Sequence, residues 1–142
     1  VPASWILAAR AFGFRLTIAA PKGYQPSAEQ LAGSGVTVTT SVEEAVRGAD
    51  VVYTDVWVSM GKEAEAKKRM DDLKGYQIDR KSHGLAAPGA LVMHCLPAYR
   101  GLEITDEMLE GNAKTIFTQA ENRLHVQKAL IAQLHLWRGE RT

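Results

Sequence analysis

Val36-Thr37-Val38-Thr39-Thr40-Ser41-Val42-Glu43-Glu44-Ala45-Val46-Arg47-Gly48-Ala49-Asp50-Val51-Val52-Tyr53-Thr54-Asp55 is the stretch that decides the fold. Val36 to Thr40 is a β-branched run and predicts a strand, because branched side chains suit a pleated surface. Ser41 then supplies a helix N-cap, with Glu44 three residues on to complete a capping box, and the helix runs through Arg47. Val51 to Asp55 predicts the next strand. Strand, capped helix and strand in immediate succession indicate a parallel sheet with helices laid over its faces.

Working outward, the same alternation continues in both directions. Pro2 to Phe12 reads as a helix that tolerates Pro2 in its first turn and ends at Gly13. Trp5, Ile6, Leu7, Ala8, Ala9 and Phe12 make it apolar nearly all round, so more than one side should be buried. Leu16 to Ala20 is a short strand closed by Pro21-Lys22-Gly23-Tyr24, and Ser27 caps a helix through Leu31. Glu63 to Asp72 is a charged, solvated helix with Glu63–Lys67 and Glu65–Arg69 at i,i+4 spacing. Leu91 to His94 predicts a fourth strand and Thr115 to Thr118 a fifth, with a short helix over Asp106 to Leu109 between them. Glu121 to Trp137 is the closing helix. The fold class is therefore α/β: a three-layer α/β/α arrangement around a five-stranded parallel sheet, order 2-1-3-4-5.

Composition narrows the function classes. The chain has 142 residues, room for one domain with a real core and too few for two ordinary ones. A net charge of +1 gives no general reason to expect nucleic acid or an anionic membrane as partner. No apolar run is long enough to cross a bilayer. The single Cys95 cannot form an internal disulfide; it fits a reducing compartment and a cytoplasmic location. No Gly-x-Gly-x-x-Gly follows a strand, so the fold alone does not imply a dinucleotide. The chain opens inside helix-like sequence without Met, which reads as part of a longer protein.

Three polar clusters follow apolar runs: Thr54-Asp55-Val56-Trp57-Val58-Ser59-Met60-Gly61, His94-Cys95-Leu96-Pro97, and Glu121-Asn122-Arg123. In an open parallel sheet such strand ends share the edge where ligands bind. Asp55 needs a partner, either a helix cap or ion pair of the fold or a substrate ammonium group. Ser59 and the turn at Met60-Gly61 could offer a hydroxyl and backbone N–H groups to a zwitterion. Cys95 is either a small buried hydrophobe or a thiol facing the ligand edge. It should point away from His94 if both stay extended, which argues against a His–Cys nucleophile pair. One cysteine and scattered histidines do not have zinc-ligand spacing. Arg123, at the start of the closing helix, opposes the helix dipole. Either Glu121 compensates it as a surface ion pair, or Arg123 reaches toward an anion or carbonyl oxygen. Lys22 and Tyr24 shape a turn, and His83, His125 and His135 read as surface or packing residues.

Together the three clusters resemble the amino-acid-binding half of the ornithine carbamoyltransferase family, almost from end to end of the chain. The resemblance implies that residues 1–142 are the ornithine-binding domain, and that the carbamoyl-phosphate-binding domain with its Ser-Thr-Arg-Thr motif is not in this sequence. It implies a homotrimer or a multiple of trimers, with no metal or organic cofactor. Asp55, Ser59 and Met60 would hold ornithine; Cys95, Leu96 and Arg123 would meet carbamoyl phosphate; Asp55, Cys95 and Arg123 would carry the chemistry. Tyr99-Arg100 departs from the commoner family pattern, in which a His often precedes the Arg. Alternatives are a carbamoyltransferase for another amine, such as acetylornithine or putrescine, and a non-catalytic amino-acid-binding module.

Overall fold

The computed structural model describes residues 1–58, 61 and 63–139. Helix α1 (Pro2–Phe12) has its proline in the first turn and ends where Gly13 adopts φ 72, a left-handed conformation that glycine reaches without Cβ strain. Strand β1 (Thr17–Ala19) pairs in parallel with β2 (Thr37–Thr39), Thr17 opposite Thr37 and Ala19 opposite Thr39. Between them lies α2 (Ala28–Leu31), closed by a full capping box of Ser27 and Gln30. Helix α3 (Val42–Val46) is capped by Ser41, whose hydroxyl accepts the Glu44 N–H at 3.1 Å. The expected capping box is not completed: the Glu44 carboxylate takes the Thr39 hydroxyl at 2.5 Å, tying the helix to the strand before it, and that hydroxyl instead accepts the Ser41 N–H at 3.1 Å.

Strand β3 (Val51–Thr54) and β4 (Leu91–His94) form the second parallel ladder, Val51 opposite Leu91 and Thr54 opposite His94. Between them come a 3₁₀ turn (Glu63–Glu65), α4 (Ala66–Asp72) and α5 (Arg80–His83). The Glu65–Arg69 pair forms at 3.0 Å; the Glu63 side chain, the acid of the other expected pair, lies outside what is described. The chain closes with α6 (Asp106–Gly111), capped by Thr105, and α7 (Ala113–Gly139). Val46, Val52, Ile78, Val92, Ile104, Met108, Leu109 and Ile116 form one buried apolar cluster around β3 and β4. No described helix is long and apolar enough to cross a membrane.

Alternating α and β elements with parallel pairing are present as expected, but the single five-stranded sheet is not. Residues 115–118 lie inside α7. A short β-branched run is ambiguous between strand and buried helix, and Ala113, Gln119 and Ala120 around it suit a helix. Helical geometry also buries Ile116 completely while leaving Phe117 exposed. The remaining four strands form two separate ladders among the described residues. Side chains bridge the ladders: Trp5 packs edge-on against Phe14, before β1, and Tyr53 in β3 at ring separations of 5.8 and 5.2 Å. Helix α1 buries Ile6 and Ala9, while Leu7 and Phe12 face outward.

Candidate active site

The register of β3 and β4 builds the site. With Thr54 opposite His94, the next residues on the two strands are Asp55 and Cys95. Cys95 Sγ donates to Asp55 Oδ1 at 3.0 Å, and the Val56 N–H donates to the same oxygen at 2.7 Å. A hydrogen bond to a charged acceptor contributes roughly 1.5–3 kcal/mol where solvent is limited. Burial, and then this bond to Asp55, push the Cys95 thiol above its ordinary range. Near neutrality the sulfur is therefore a protonated donor, not a thiolate nucleophile. Tyr53, two residues before Asp55 on the same strand face, has its phenol raised by burial and by hydrogen bonding to Cys95.

His94 points the other way, as strand alternation requires. It is fully buried, its Nε2 meets Glu103 Oε1 at 3.2 Å, and its Nδ1 accepts the Leu96 N–H at 2.9 Å. Leu96 sits at φ 55, and the Leu96–Pro97 peptide is cis. A left-handed conformation costs a non-glycine residue roughly 1–2 kcal/mol, so the surrounding hydrogen bonds must impose it.

Arg123 lies in the interior of α7, ten residues after its first residue, and does not open a helix as expected. The opposition to the helix dipole therefore disappears. The alternative ion pair is also missing, because Glu121 pairs with His125 at 3.2 Å. Arg123 is exposed and makes no hydrogen bond or ion pair with a described residue. One helical turn earlier, Gln119 Oε1 accepts the His94 N–H at 3.0 Å and fixes α7 to the end of β4. Arg123 follows Gln119 at i,i+4, on the same helix face. Ser59 and Met60 lie outside the described residues; Gly61 has φ 82.

An open cleft of about 360 Å³ lies to one side, lined by Trp57, Met70, Lys74, Gln77, Asp79 and Leu102 among others. It contains neither Asp55 nor Cys95. Its acid, Asp79, is committed to capping α5, where the Ser82 N–H holds the carboxyl below its ordinary range. Reading of the sequence missed Tyr53, Gln119 and Glu103. Gln119 had a signal, since it directly precedes the Ala-Glu-Asn-Arg run. Glu103 had a fainter one, a carboxylate between Leu102 and Ile104.

Parallel strands that end in a carboxylate and a protonated thiol define an α/β domain with both groups at the carboxyl edge of its sheet, the edge where open α/β sheets bind ligands. The chain belongs to the family of aspartate/ornithine carbamoyltransferase Asp/Orn binding domains, whose model matches residues 1–134. It is 52% identical over 136 residues to the ornithine carbamoyltransferase of Methanoculleus marisnigri, covering 92% of this chain and 44% of that protein. With the ornithine carbamoyltransferase of Geobacter sulfurreducens it shares 50% identity over 137 residues, covering 92% and 45%. The fold superposes on the crystal structure of anabolic ornithine carbamoyltransferase from Campylobacter jejuni with a TM-score of 0.91 and 38% identity, covering 96% of this chain and 48% of that one. The chain thus spans less than half the length of the relatives it matches.

Proposed function

We propose that residues 1–142 are the ornithine-binding domain of an ornithine carbamoyltransferase, which moves the carbamoyl group of carbamoyl phosphate onto ornithine Nδ to give citrulline and phosphate. The observation that carries this reading is the 3.0 Å bond between Cys95 and Asp55 at the ends of adjacent parallel strands. Asp55 Oδ1 is occupied by that thiol and by the Val56 N–H, while no described residue is hydrogen-bonded to Oδ2. Oδ2 is the seat for the ornithine α-ammonium group; the likeness of Ser59-Met60-Gly61 to the family's loop assigns Ser59 to the same ammonium and the Met60 N–H to the substrate carboxylate.

An alkylamine is almost fully protonated near neutrality, so the nucleophile must lose a proton before it attacks. Cys95 lies beside the side-chain amine. Its S–H stays on Asp55 Oδ1 and its sulfur accepts an N–H of the amine as a polar contact, which leaves the amine lone pair free to attack and forms no covalent intermediate, and the Asp55 carboxylate assists removal of the amine proton. Attack on the carbamoyl carbon drives charge onto the carbonyl oxygen, which the Arg123 guanidinium receives, while the Leu96 turn borders the carbamoyl phosphate. The departing phosphate takes up negative charge as the C–O bond breaks. The phosphate cradle belongs to a second domain, and the complete enzyme is a cytoplasmic homotrimer or a multiple of trimers. The exposed apolar face of α7 is the docking surface for that second domain, which explains why Leu130, Ile131 and Leu134 lie outside the core.

The test is steady-state citrulline formation by the complete enzyme, with ornithine, acetylornithine and putrescine compared as acceptors. Preference for ornithine is the expected result, with turnover lost in Asp55→Asn and in Arg123→Gln. A preference for putrescine or acetylornithine would overturn the assignment of the acceptor.

A further inference from the structure

A buried polar cluster stands behind the site, on the face of β4 opposite Cys95. His94 and Glu103 are both fully enclosed. Because the Leu96 N–H donates to His94 Nδ1 at 2.9 Å, that nitrogen carries the lone pair and the ring proton sits on Nε2. Nε2 donates to Glu103 Oε1 at 3.2 Å, and the same oxygen accepts the Tyr99 N–H at 2.5 Å. One carboxylate oxygen thus ties the end of β4 to the far side of the 95–98 loop, and the ring between them ties down Leu96. Glu103 is itself held by the core. Its carbonyl accepts the Ile78 N–H at 2.9 Å, and the Thr105 N–H reaches the Ile78 carbonyl at 3.0 Å.

This cluster is a poor source of stability. Glu103 Oε2 is enclosed without a hydrogen bond, and an apolar pair of the same shape would avoid that desolvation. What the cluster secures is local geometry: Leu96 at φ 55, a conformation leucine does not adopt unaided. We propose that Glu103 is a positioning residue, which acts through His94 to hold the Cys95–Leu96 turn so that the thiol stays on Asp55. The kinetic arm of its test rests on the carbamoyl-transfer reading; the thiol arm does not.

Cys95 is the only cysteine of the chain, so alkylation by iodoacetamide reports on one site. In the folded 142-residue protein, checked by circular dichroism, Glu103→Leu raises the Cys95 alkylation rate about tenfold, as expected when a hydrogen-bonded restraint is lost. Glu103→Gln keeps an acceptor at Oε1 and stays within about twofold of the unaltered protein. Should Glu103→Leu fail to fold, His94→Asn decides. Its amide oxygen still accepts the Leu96 N–H, as in an Asx-turn, but is too short to reach Glu103, and alkylation again rises. In the complete enzyme, Glu103→Leu lowers kcat about 100-fold, as misplacement by an ångström does, with a smaller change in KM, and Glu103→Gln restores it. Unaltered alkylation in folded Glu103→Leu or His94→Asn overturns the proposal, as does a Glu103→Gln protein as reactive as Glu103→Leu. An unaltered complete enzyme that makes no citrulline refutes the carbamoyl-transfer reading and leaves the alkylation result standing.

Discussion

The two ends of α7 live in different surroundings. Its first two turns belong to this domain: Ile116 is completely buried in the core and Gln119 bonds the end of β4. Beyond Arg123 the helix continues with Leu124, Val126, Leu130, Ile131, Leu134 and Trp137 all exposed, Ile131 by 70%. One helix therefore serves two purposes. Its inner part locks the end of β4 onto the core, and its outer part carries apolar surface that no described residue covers. A monomer rarely leaves a contiguous patch of that kind in water. Arg123 stands at the junction, one turn beyond the Gln119 that bonds the end of β4 and one residue before the exposed apolar run begins.

The largest expected effect is on chemistry: Asp55→Asn in the complete enzyme lowers kcat/KM roughly 1,000-fold, a loss typical for a preorganised charge in a site. Its unfolding midpoint stays close to that of the parent, because Asn keeps an oxygen for the Cys95 thiol. The reverse pattern is expected inside the core. Ile116→Ala lowers unfolding free energy by about 2–5 kcal/mol, measured by denaturant titration, because it leaves a cavity where the helix meets β4. Asp79→Ala removes the cap of α5 and costs about 1 kcal/mol in the same titration. Since that carboxyl is held below its ordinary range, its contribution is present at neutral pH and fades as pH falls through its folded-state value.

A pH profile sharpens the inner half of the comparison. Burial and the Asp55 bond raise the Cys95 pKa above its ordinary value of 9.0, so the thiolate appears late on the alkaline side. The alkylation rate of Cys95 should therefore rise at higher pH than that of a free thiol, and Asp55→Asn should move the rise back toward the ordinary value. Asn keeps an acceptor for the thiol but lacks the negative charge, so a profile identical in the two proteins would show that the Asp55 charge does not act on the thiol. The smallest effect belongs to the outer half. Leu130→Ser with Ile131→Ser changes unfolding free energy by no more than about 0.5 kcal/mol per site, as for exposed positions, while it reduces self-association seen by light scattering.

Much of this architecture was legible because its causes are local. Ser27 and Ser41 cap their helices through residues three positions on, and the β-branched runs at 36–40 and 51–55 contain the strands they predict. Asp55 and Cys95 could be brought together because each follows directly on a strand end, and parallel register does the rest. The failures have non-local causes. At Thr115-Ile116-Phe117-Thr118, intrinsic strand preference gave way to a helix that places Ile116 in the core. Helix α5 is only four residues long, too short for any periodicity, and is set by the reciprocal capping box of Asp79 and Ser82. Glu103 finds His94 across a loop whose shape no spacing rule describes.

The most direct test mixes this chain with a separately expressed carbamoyl-phosphate-binding domain of the same family and measures citrulline. Neither part alone yields product, and mixing them yields citrulline, abolished when the chain carries Asp55→Asn. Demonstrated association of the two parts without citrulline would contradict the carbamoyl-transfer reading.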